Sequence, residues 1–506
     1  MIYSFLNTLV KGYLKFRRFR IQAMYDDPYE LQVEVFQNLL NNLHRTEYGK
    51  NYGSAEIKNY NQFAKRIPLV QYEDIYPNIE RMMSGAPDIL WPGKVKWYAK
   101  SSGTTNDKSK FIPISDDNLF ENHVASSWDA MSILYNNSPD ARIFDGKNLL
   151  MGGSLNYIND QLVTGDVSAI LLSRMPTIGK PFYTPDFETA LLSDWETKID
   201  KMASLCQNED VVMFAGVPTW TMVLFKKMLD VSGKNNIHEI WPNAKTYFHG
   251  GVGFDPYVEQ FQKYLPDDDM EYYEVYNASE GYFAVQDSLN EKGMLLLLDN
   301  AIYYEFIPAE YADDPNAETL SLRDVEVGKH YCIVISTSSG LWRYKPGDIV
   351  IFVSTLPYRI MVSGRTKHYI NVFGEEVMVH NTDAALKETC NKTGATITDY
   401  TVAPVYMADN LKGGHQWLIE FEKTPKDIDA FEKTLDHNLR SQNSDYDAKR
   451  FKDIALLPLK INVAPRDTFH RWLKSKGKIG GQSKIPRLSN NRDYLDELLN
   501  MIENRN

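Results

Sequence analysis

Residues 97–113 read Trp97-Tyr98-Ala99-Lys100-Ser101-Ser102-Gly103-Thr104-Thr105-Asn106-Asp107-Lys108-Ser109-Lys110-Phe111-Ile112-Pro113. A short apolar run leads into two serines, a glycine, two threonines, a polar turn and a lysine. The hydroxyls of Ser101, Ser102, Thr104 and Thr105 donate hydrogen bonds, as do the backbone N–H groups around Gly103. Gly103 lacks a side chain, so the backbone can approach an anion closely. With the cation of Lys110, this is the chemistry of a loop that cradles phosphate. The Gly-Lys-Ser/Thr ending of a P-loop is absent. Clusters of Ser, Thr and Gly are also ordinary turns, so the rest of the chain has to decide.

Outward from that stretch, strand, glycine turn and helix recur. Leu149–Met151 ends in Gly152-Gly153-Ser154. The buried run at 211–215 is followed by Gly216-Val217-Pro218-Thr219-Trp220 and a helix. The run at 244–248 ends in His249-Gly250-Gly251, and the run at 271–276 ends in Asn277-Ala278-Ser279-Glu280-Gly281. This order is α/β organisation, in which ligands sit at the carboxyl ends of strands. Residues 2–45 read as helical, with Leu31, Val35, Leu39 and Leu43 at helical spacing. Residues 46–53 read as a loop, and 117–135 as a helix. Residues 294–298 and 302–307 read as a hairpin about Asp299-Asn300, followed by strands at 331–336 and 349–354 in a β-rich subdomain. From 377 onward the pattern is a helix, strands at 400–405 and 416–421, a helix over 428–441, a strand at 454–459, a basic loop and a final helix. The expected fold is therefore α/β with an α+β C-terminal part. A large N-terminal domain of mixed sheets, helices and the β-rich subdomain spans 1–363, and a small domain spans 364–506.

The 506 residues are 43% hydrophobic and 24% charged, a globular composition. A formal net charge of -12 makes the surface as a whole repel nucleic acid and anionic membrane, so only a local basic patch can bind a polyanion. Cys206, Cys332 and Cys390 are far apart and lack C-x-x-C spacing, which fits a reducing cytosol. The histidines are scattered without H-E-x-x-H, and no G-x-S-x-G elbow exists, so neither zinc nor serine hydrolase chemistry is supported. The first twenty residues do not fit a secretory signal, because the positive charges follow the apolar run. They read as an amphipathic helix packed on the protein body, whose basic face leaves a membrane-surface role open. No stretch is long and apolar enough for a membrane span.

Four further clusters carry chemistry. Tyr276 precedes Ser279 and Glu280; its ring can stack on a planar base, and the carboxylate can hold Mg²⁺ together with phosphate oxygens. Asp348 follows Pro346-Gly347 and opens an apolar strand, where a carboxylate can accept both hydroxyls of a ribose; Pro-Gly-Asp is also plain turn chemistry. Gly364-Arg365-Thr366-Lys367 lies at the proposed junction, as nucleotide contact, hinge or solvated linker. Between Arg466 and Arg487, Arg466, Arg471, Lys474, Lys476, Lys478, Lys484 and Arg487 face one acid, Asp467, which points to an anionic ligand. Nucleic acid is disfavoured there, since only Phe469 and Trp472 offer stacking and no known motif is present.

Taken in order, residues 101–105 with 110–113, then 276–280, then 343–348, resemble the three nucleotide motifs of the adenylate-forming superfamily of acyl-CoA synthetases, adenylation domains and luciferases. Within it the chain most resembles the auxin-responsive (Gretchen Hagen) acyl acid–amido synthetases, as a bacterial-type member. Supporting matches are residues 46–50, Ile67-Pro68-Leu69-Val70 with Tyr72-Glu73-Asp74, and Gln482-Ser483-Lys484-Ile485-Pro486-Arg487. The resemblance implies a mobile C-terminal lid domain with the active site between the domains, and two half-reactions. ATP and a carboxylic acid give an acyl-adenylate and pyrophosphate, and the amine of an amino acid then takes the acyl group. The alternative acceptor is coenzyme A or a carrier-protein thiol. By the same resemblance, Ser101, Ser102, Gly103, Thr104, Thr105 and Lys110 hold the departing phosphates. Gly250 and Gly251 line the base with Tyr276 stacking. Ser279 and Glu280 serve the α-phosphate and Mg²⁺, Asp348 binds the ribose, and Arg365 contacts ribose or phosphate. Lys484 stabilises charge at the α-phosphate. Val217, Pro218 and Trp220 are assigned to the acyl pocket. Two departures stand out: Asp107 replaces a glycine of the plant loop, and residues 371–376 (Asn-Val-Phe-Gly-Glu-Glu) carry Glu375 and Glu376 where the plant pattern has a lysine.

Overall fold

The computed structural model describes residues 2–503 except 102–109, 178, 252, 253, 255, 256, 268, 313, 315, 366–368, 407–412, 451, 452, 454, 455 and 476–485. For residues 2–9, 11, 219, 259, 364, 365, 369, 380 and 470 it describes the backbone alone. The chain divides into two compact units, Met1–Ser101 with Lys110–Thr366, and Lys367–Asn506.

The strands of the first unit are β1 (Trp97–Ser101), β2 (Lys110–Ile114), β3 (Lys147–Leu150), β4 (Leu155–Asn159), β5 (Leu162–Gly165), β6 (Tyr183–Thr184), β7 (Val211–Gly216), β8 (Thr246–Gly250), β9 (Glu271–Ala278), β10 (Gly281–Val285), β11 (Met294–Leu296), β12 (Ile302–Pro308), β13 (His330–Thr337), β14 (Asp348–Thr355) and β15 (Tyr358–Arg365). Eleven of them form one sheet, in the order β12-β13-β14-β15-β11-β10-β9-β8-β7-β3-β6. From β9 to β6 the neighbours run parallel. Val211, Val212, Met213 and Phe214 are all buried, as expected for a parallel strand covered on both faces. The β-rich stretch continues this same sheet in antiparallel pairing. A second sheet has the order β2-β1-β5-β4.

Several sequence expectations are corrected here. The helical stretch at 2–45 breaks into Ile2–Asp26 and Pro28–Leu43, because Pro28 starts a new helix and the Asp27 side chain caps it by accepting from the Glu30 N–H. The loop expected at 46–53 contains a short helix, Glu47–Asn51, capped by Thr46. The expected helix at 117–135 opens with a π-helical segment, Asn118–Val124, before Ala125–Asn137.

The expected hairpin does not form. β11 pairs with β10 and β15, whereas β12 pairs with β13 at the sheet edge. Asn300 is not a turn tip. Its side chain is buried, donating to Ser126 Oγ and Asp129 Oδ2. Gln32 Nε2 donates to the Leu298 and Ile302 carbonyls at 2.7 and 2.9 Å, so helix side chains supply the partners that a hairpin ladder would have supplied.

The second unit contains β16 (Tyr369–Ile370) paired with β17 (Val377–Met378), and a sheet ordered β18 (Thr396–Tyr406), β19 (Gly413–Lys423), β20 (Lys460–Ala464). The helix Ile428–Gln442 lies before β20 in the chain, and Phe431, Leu435 and Leu439 on it are buried. The strand expected at 454–459 is displaced to β20. Pro458 has no N–H for a ladder, and the parallel pairing with β19 starts after it, at Lys460. Part of the expected basic loop is the helix Thr468–Ser475, whose Phe469 and Trp472 pack in the core with Leu495 and Leu498 of the helix Asp493–Glu503. Those two aromatics are therefore not stacking platforms.

Candidate functional site

The parallel half of the sheet brings three predicted turns to one carboxyl edge. Gly216 of β7 registers with His249 of β8, and Gly250 registers with Val275 of β9. Gly250 has no alternative, since a Cβ there would lie 2.4 Å from the Val275 carbonyl oxygen. Gly251 has φ +81 and a Cβ position 3.3 Å from Val217 Cγ2, which brings the Gly250-Gly251 turn against the Gly216-Val217 turn. Val217 immediately precedes the helix Pro218–Ser232, and the Trp220 ring meets Trp195 with centroids 3.8 Å apart.

Tyr276 is the antepenultimate residue of β9. Ser279 and Glu280 form the two-residue turn into β10, with Gly281 opposite Ala278. Asn122, in the π-helical segment, brackets the strand beyond that turn. It accepts from the Tyr282 N–H at 2.7 Å and donates to the Tyr282 carbonyl at 3.2 Å. A π bulge of this kind re-aims side chains. Here it also buries His123 beside Asn277, with neither ring nitrogen in a well-formed hydrogen bond. Burial pushes the His123 imidazole down to about 4 and that of His249 to about 3, so both are neutral at physiological pH.

Asp348 opens β14 opposite Arg365, the last residue of β15. It accepts from the Tyr276 hydroxyl at 2.5 Å. Both are nearly buried, Tyr276 at 9% and Asp348 at 4% exposure. Glu280 is also buried, and the Tyr344 hydroxyl lies 3.4 Å from Glu280 Oε1. Burial first, then the charges of Glu280 and Glu73 and the neighbouring Tyr72, hold the Tyr344 phenol protonated, well above its ordinary value. Tyr72 accepts from the Phe111 N–H at 2.8 Å and lies 5.6 Å beneath Lys110 Nζ. Lys110 is opposite Ser101 in the β1–β2 ladder, so both ends of the serine-threonine loop are fixed by strand pairing.

The structure thus connects Glu280 to Tyr344 and Tyr72 to Lys110, while Asp348 is held through Tyr276. Ser102, Gly103, Thr104, Thr105, Asp107 and Lys484 lie outside the described residues, as does the side chain of Arg365. Tyr344, Tyr72 and Asn122 were not singled out as functional positions from sequence. Tyr344 sits inside the quoted 343–348 motif and Tyr72 inside a supporting match, which is the signal that was there to use. Arg343, by contrast, is a structural lock. It is buried, with Nε and Nη2 on Glu305, Nη1 on the carbonyls of Ala64 and Ile67 at 2.7 and 2.8 Å, and Nη2 also on Thr319.

In the second unit, Glu375 points inward. It accepts from the Phe373 N–H at 2.6 Å and pairs with His415 Nε2 at 2.8 Å, both side chains fully buried. Glu376 has φ 39 and donates its N–H to Asn371 Oδ1. The first of the two departing acids therefore shapes its own glycine turn.

Among the described residues no group of three or more His, Cys, Asp or Glu side chains is arranged to hold a metal ion, and no helix is long and apolar enough to cross a membrane. The buried carboxylate of Glu280 suits Mg²⁺ bound mainly through phosphate oxygens, which needs only one or two protein carboxylates.

Comparison with known proteins bears on the whole chain. An indole-3-acetic acid-amido synthetase, GH3.3 of Arabidopsis thaliana, is 23% identical over 90% of this chain and 89% of its own length. The solved structure of AtGH3.15 acyl acid amido synthetase in complex with 2,4-DB superposes with a TM-score of 0.62 at 18% identity, covering 96% of each chain. That of 2-hydroxyisobutyryl-CoA ligase with 2-HIB-AMP and CoA has a TM-score of 0.55 at 13% identity, over 95% of this chain and 92% of that one. The two likenesses show that this chain shares their fold. The GH3 family N-terminal domain matches residues 17–230 and 158–270, its central domain 295–365 and its C-terminal domain 380–493. This chain belongs to the GH3 family.

Proposed function

We propose that the protein is an ATP-dependent acyl-acid amido synthetase. It joins a carboxylic acid to AMP and then passes the acyl group to the amine of an amino acid. The observation that carries this reading is the assembly, on one unit, of the Lys110–Tyr72 and Tyr344–Glu280 contacts with the Tyr276–Asp348 pair beside the Gly250-Gly251 turn. A carboxylate is a poor electrophile, because it is anionic and would have to expel oxide. In the adenylate the leaving group is AMP, so what the protein must supply is alignment and charge stabilisation.

The roles follow from position. Asp348, oriented by Tyr276, accepts the ribose hydroxyls, and the Tyr276 ring and the glycine turn flank the base. Lys110 and the hydroxyls of 101–105 hold the β- and γ-phosphates as pyrophosphate departs. Glu280, with Ser279 beside it, is the residue that would hold Mg²⁺, which when bound neutralises phosphate charge. Lys484 stabilises the α-phosphate, Arg365 contacts ribose or phosphate, and Val217, Pro218 and Trp220 border the acyl group. Residues 1–363 then form the nucleotide- and acyl-binding domain and 364–506 the lid.

The test is ATP–pyrophosphate exchange driven by a panel of carboxylic acids, followed by product analysis with amino acids and with coenzyme A. Acid-dependent exchange and an amide product are expected; no exchange with any acid removes the reading. Residues 371–376 favour a second reading, a thioester ligase sharing the adenylation step, since Glu375 and Glu376 stand where the plant pattern has a lysine. Product formed with coenzyme A and with no amino acid would select it.

A further inference from the structure

The N-terminal helix Ile2–Asp26 has an inner and an outer face of opposite character. The inner face is tied down. Leu14, Arg17, Ile21 and Met24 are buried, Arg17 grips Asp129 through Nε and Nη2 at 2.7 and 2.6 Å, and the Leu14 carbonyl accepts from Ser132 Oγ. The outer face carries Phe16 at 57% and Phe19 at 76% exposure, with Lys15 and Arg18 exposed alongside, while Tyr13 at its border packs edge-on against Trp128. At 100° per residue, Phe16 and Phe19 lie about 60° apart on one stripe, and Lys15 and Arg18 flank it on one side. The helix holds Lys11, Lys15, Arg17, Arg18 and Arg20, and its first acid is Asp26, its last residue, in a chain of net charge -12. Arg17 and Arg20 are spent on Asp129 and Asp299; Lys15 and Arg18 face outward.

We infer that this face docks on an anionic lipid surface. An aromatic stripe bordered by cations, on a helix too polar to span, is the arrangement that lies in the plane of a bilayer interface. The rings enter the boundary between headgroups and acyl chains, and the lysine and arginine meet lipid phosphates. The sign of the charge selects this partner over a second copy, since two such faces would bring like charges together. The anchored inner face keeps the helix on the body of the protein while the outer face is engaged.

The test uses the full chain in vesicle sedimentation, with phosphatidylcholine alone and with phosphatidylcholine mixed with phosphatidylglycerol, at low and high salt. Binding is expected to the mixed vesicles only and to weaken with salt. The double variants Phe16→Ser/Phe19→Ser and Lys15→Glu/Arg18→Glu should each lose binding by on the order of tenfold or more, with acid-dependent ATP–pyrophosphate exchange unchanged. Failure to sediment with the anionic vesicles, or undiminished binding by both variants, overturns the proposal. So does a concentration-dependent dimer in vesicle-free solution that Phe16→Ser/Phe19→Ser abolishes, which would give the face to a second copy.

Discussion

The Tyr276 hydroxyl donates to Asp348 Oδ2 across 2.5 Å, joining the end of β9 to the start of β14. On the proposed assignment, one tyrosine supplies both the ring beside the base and the anchor for the carboxylate that takes the ribose. Tyr276→Phe keeps the ring and removes this hydrogen bond to the carboxylate. A hydrogen bond to a charged group contributes about 1.5–3 kcal/mol, so the KM for ATP should rise roughly tenfold or more while kcat changes less. Asp348→Ala should weaken ATP further. Steady-state kinetics with ATP varied decides it; an unchanged KM in Asp348→Ala removes the ribose role.

Lys484→Ala should cut acid-dependent ATP–pyrophosphate exchange by on the order of a hundredfold, the size of one lost oxyanion-type donor. Thermal unfolding should match the parent chain. An unchanged exchange rate would take Lys484 out of the adenylation step.

Arg343 and Glu305 are a fully enclosed ion pair, and Arg343 also serves the carbonyls of Ala64 and Ile67. Removing one partner strands a buried charge, at a cost of about 3–5 kcal/mol. Glu305→Ala should therefore lower the denaturant midpoint severely, and Glu305→Gln somewhat less, because the amide oxygen still accepts. A loss below about 1 kcal/mol in Glu305→Ala would show that the pair behaves like a surface bridge.

Lys198 is buried, donating to the Gly152 and Gly153 carbonyls at 2.6 and 2.8 Å. Burial lowers its pKa from 10.5 to about 8, with Asp166 opposing the shift. Between these values the unfolded chain holds a proton that the folded chain has released, so this group's contribution to stability rises with pH there. The slope is at most about 1.4 kcal/mol per pH unit. Measured as wild type against Lys198→Met, the difference in unfolding free energy should move in favour of wild type as pH rises from about 8 towards 10.5. A flat difference would mean that the amine stays charged in place.

The carboxyl-edge turns were legible in the sequence because their chemistry is local: Gly250-Gly251, Ser279-Glu280 and Asp348 each follow or open an apolar run. What held them in place was not. Tyr344 lay within the 343–348 motif and Tyr72 within a supporting match, and only long-range packing sets them against Glu280 and beneath Lys110. Asn300 looked like a turn residue, since Asp-Asn between apolar runs is good turn chemistry. Its amide is instead consumed by Ser126 and Asp129, more than 170 positions away. Pairing partners of that kind leave no periodic trace. Pro458 did leave one, and weighing it would have moved the expected strand to β20.

The parting of β11 from β12 also bears on the order in which the protein is made. Met294 and Leu295 of β11 register with Ile360 and Arg359 of β15. A ribosome releasing the chain thus delivers β11 before the strand that covers its outer edge, with the whole β12–β14 meander in between. Until β15 emerges, the nascent sheet ends in an open hydrophobic rim, the template on which other chains can pair. Chains terminated anywhere between β11 and β15 keep that rim and are the ones a cell would have to shield or destroy.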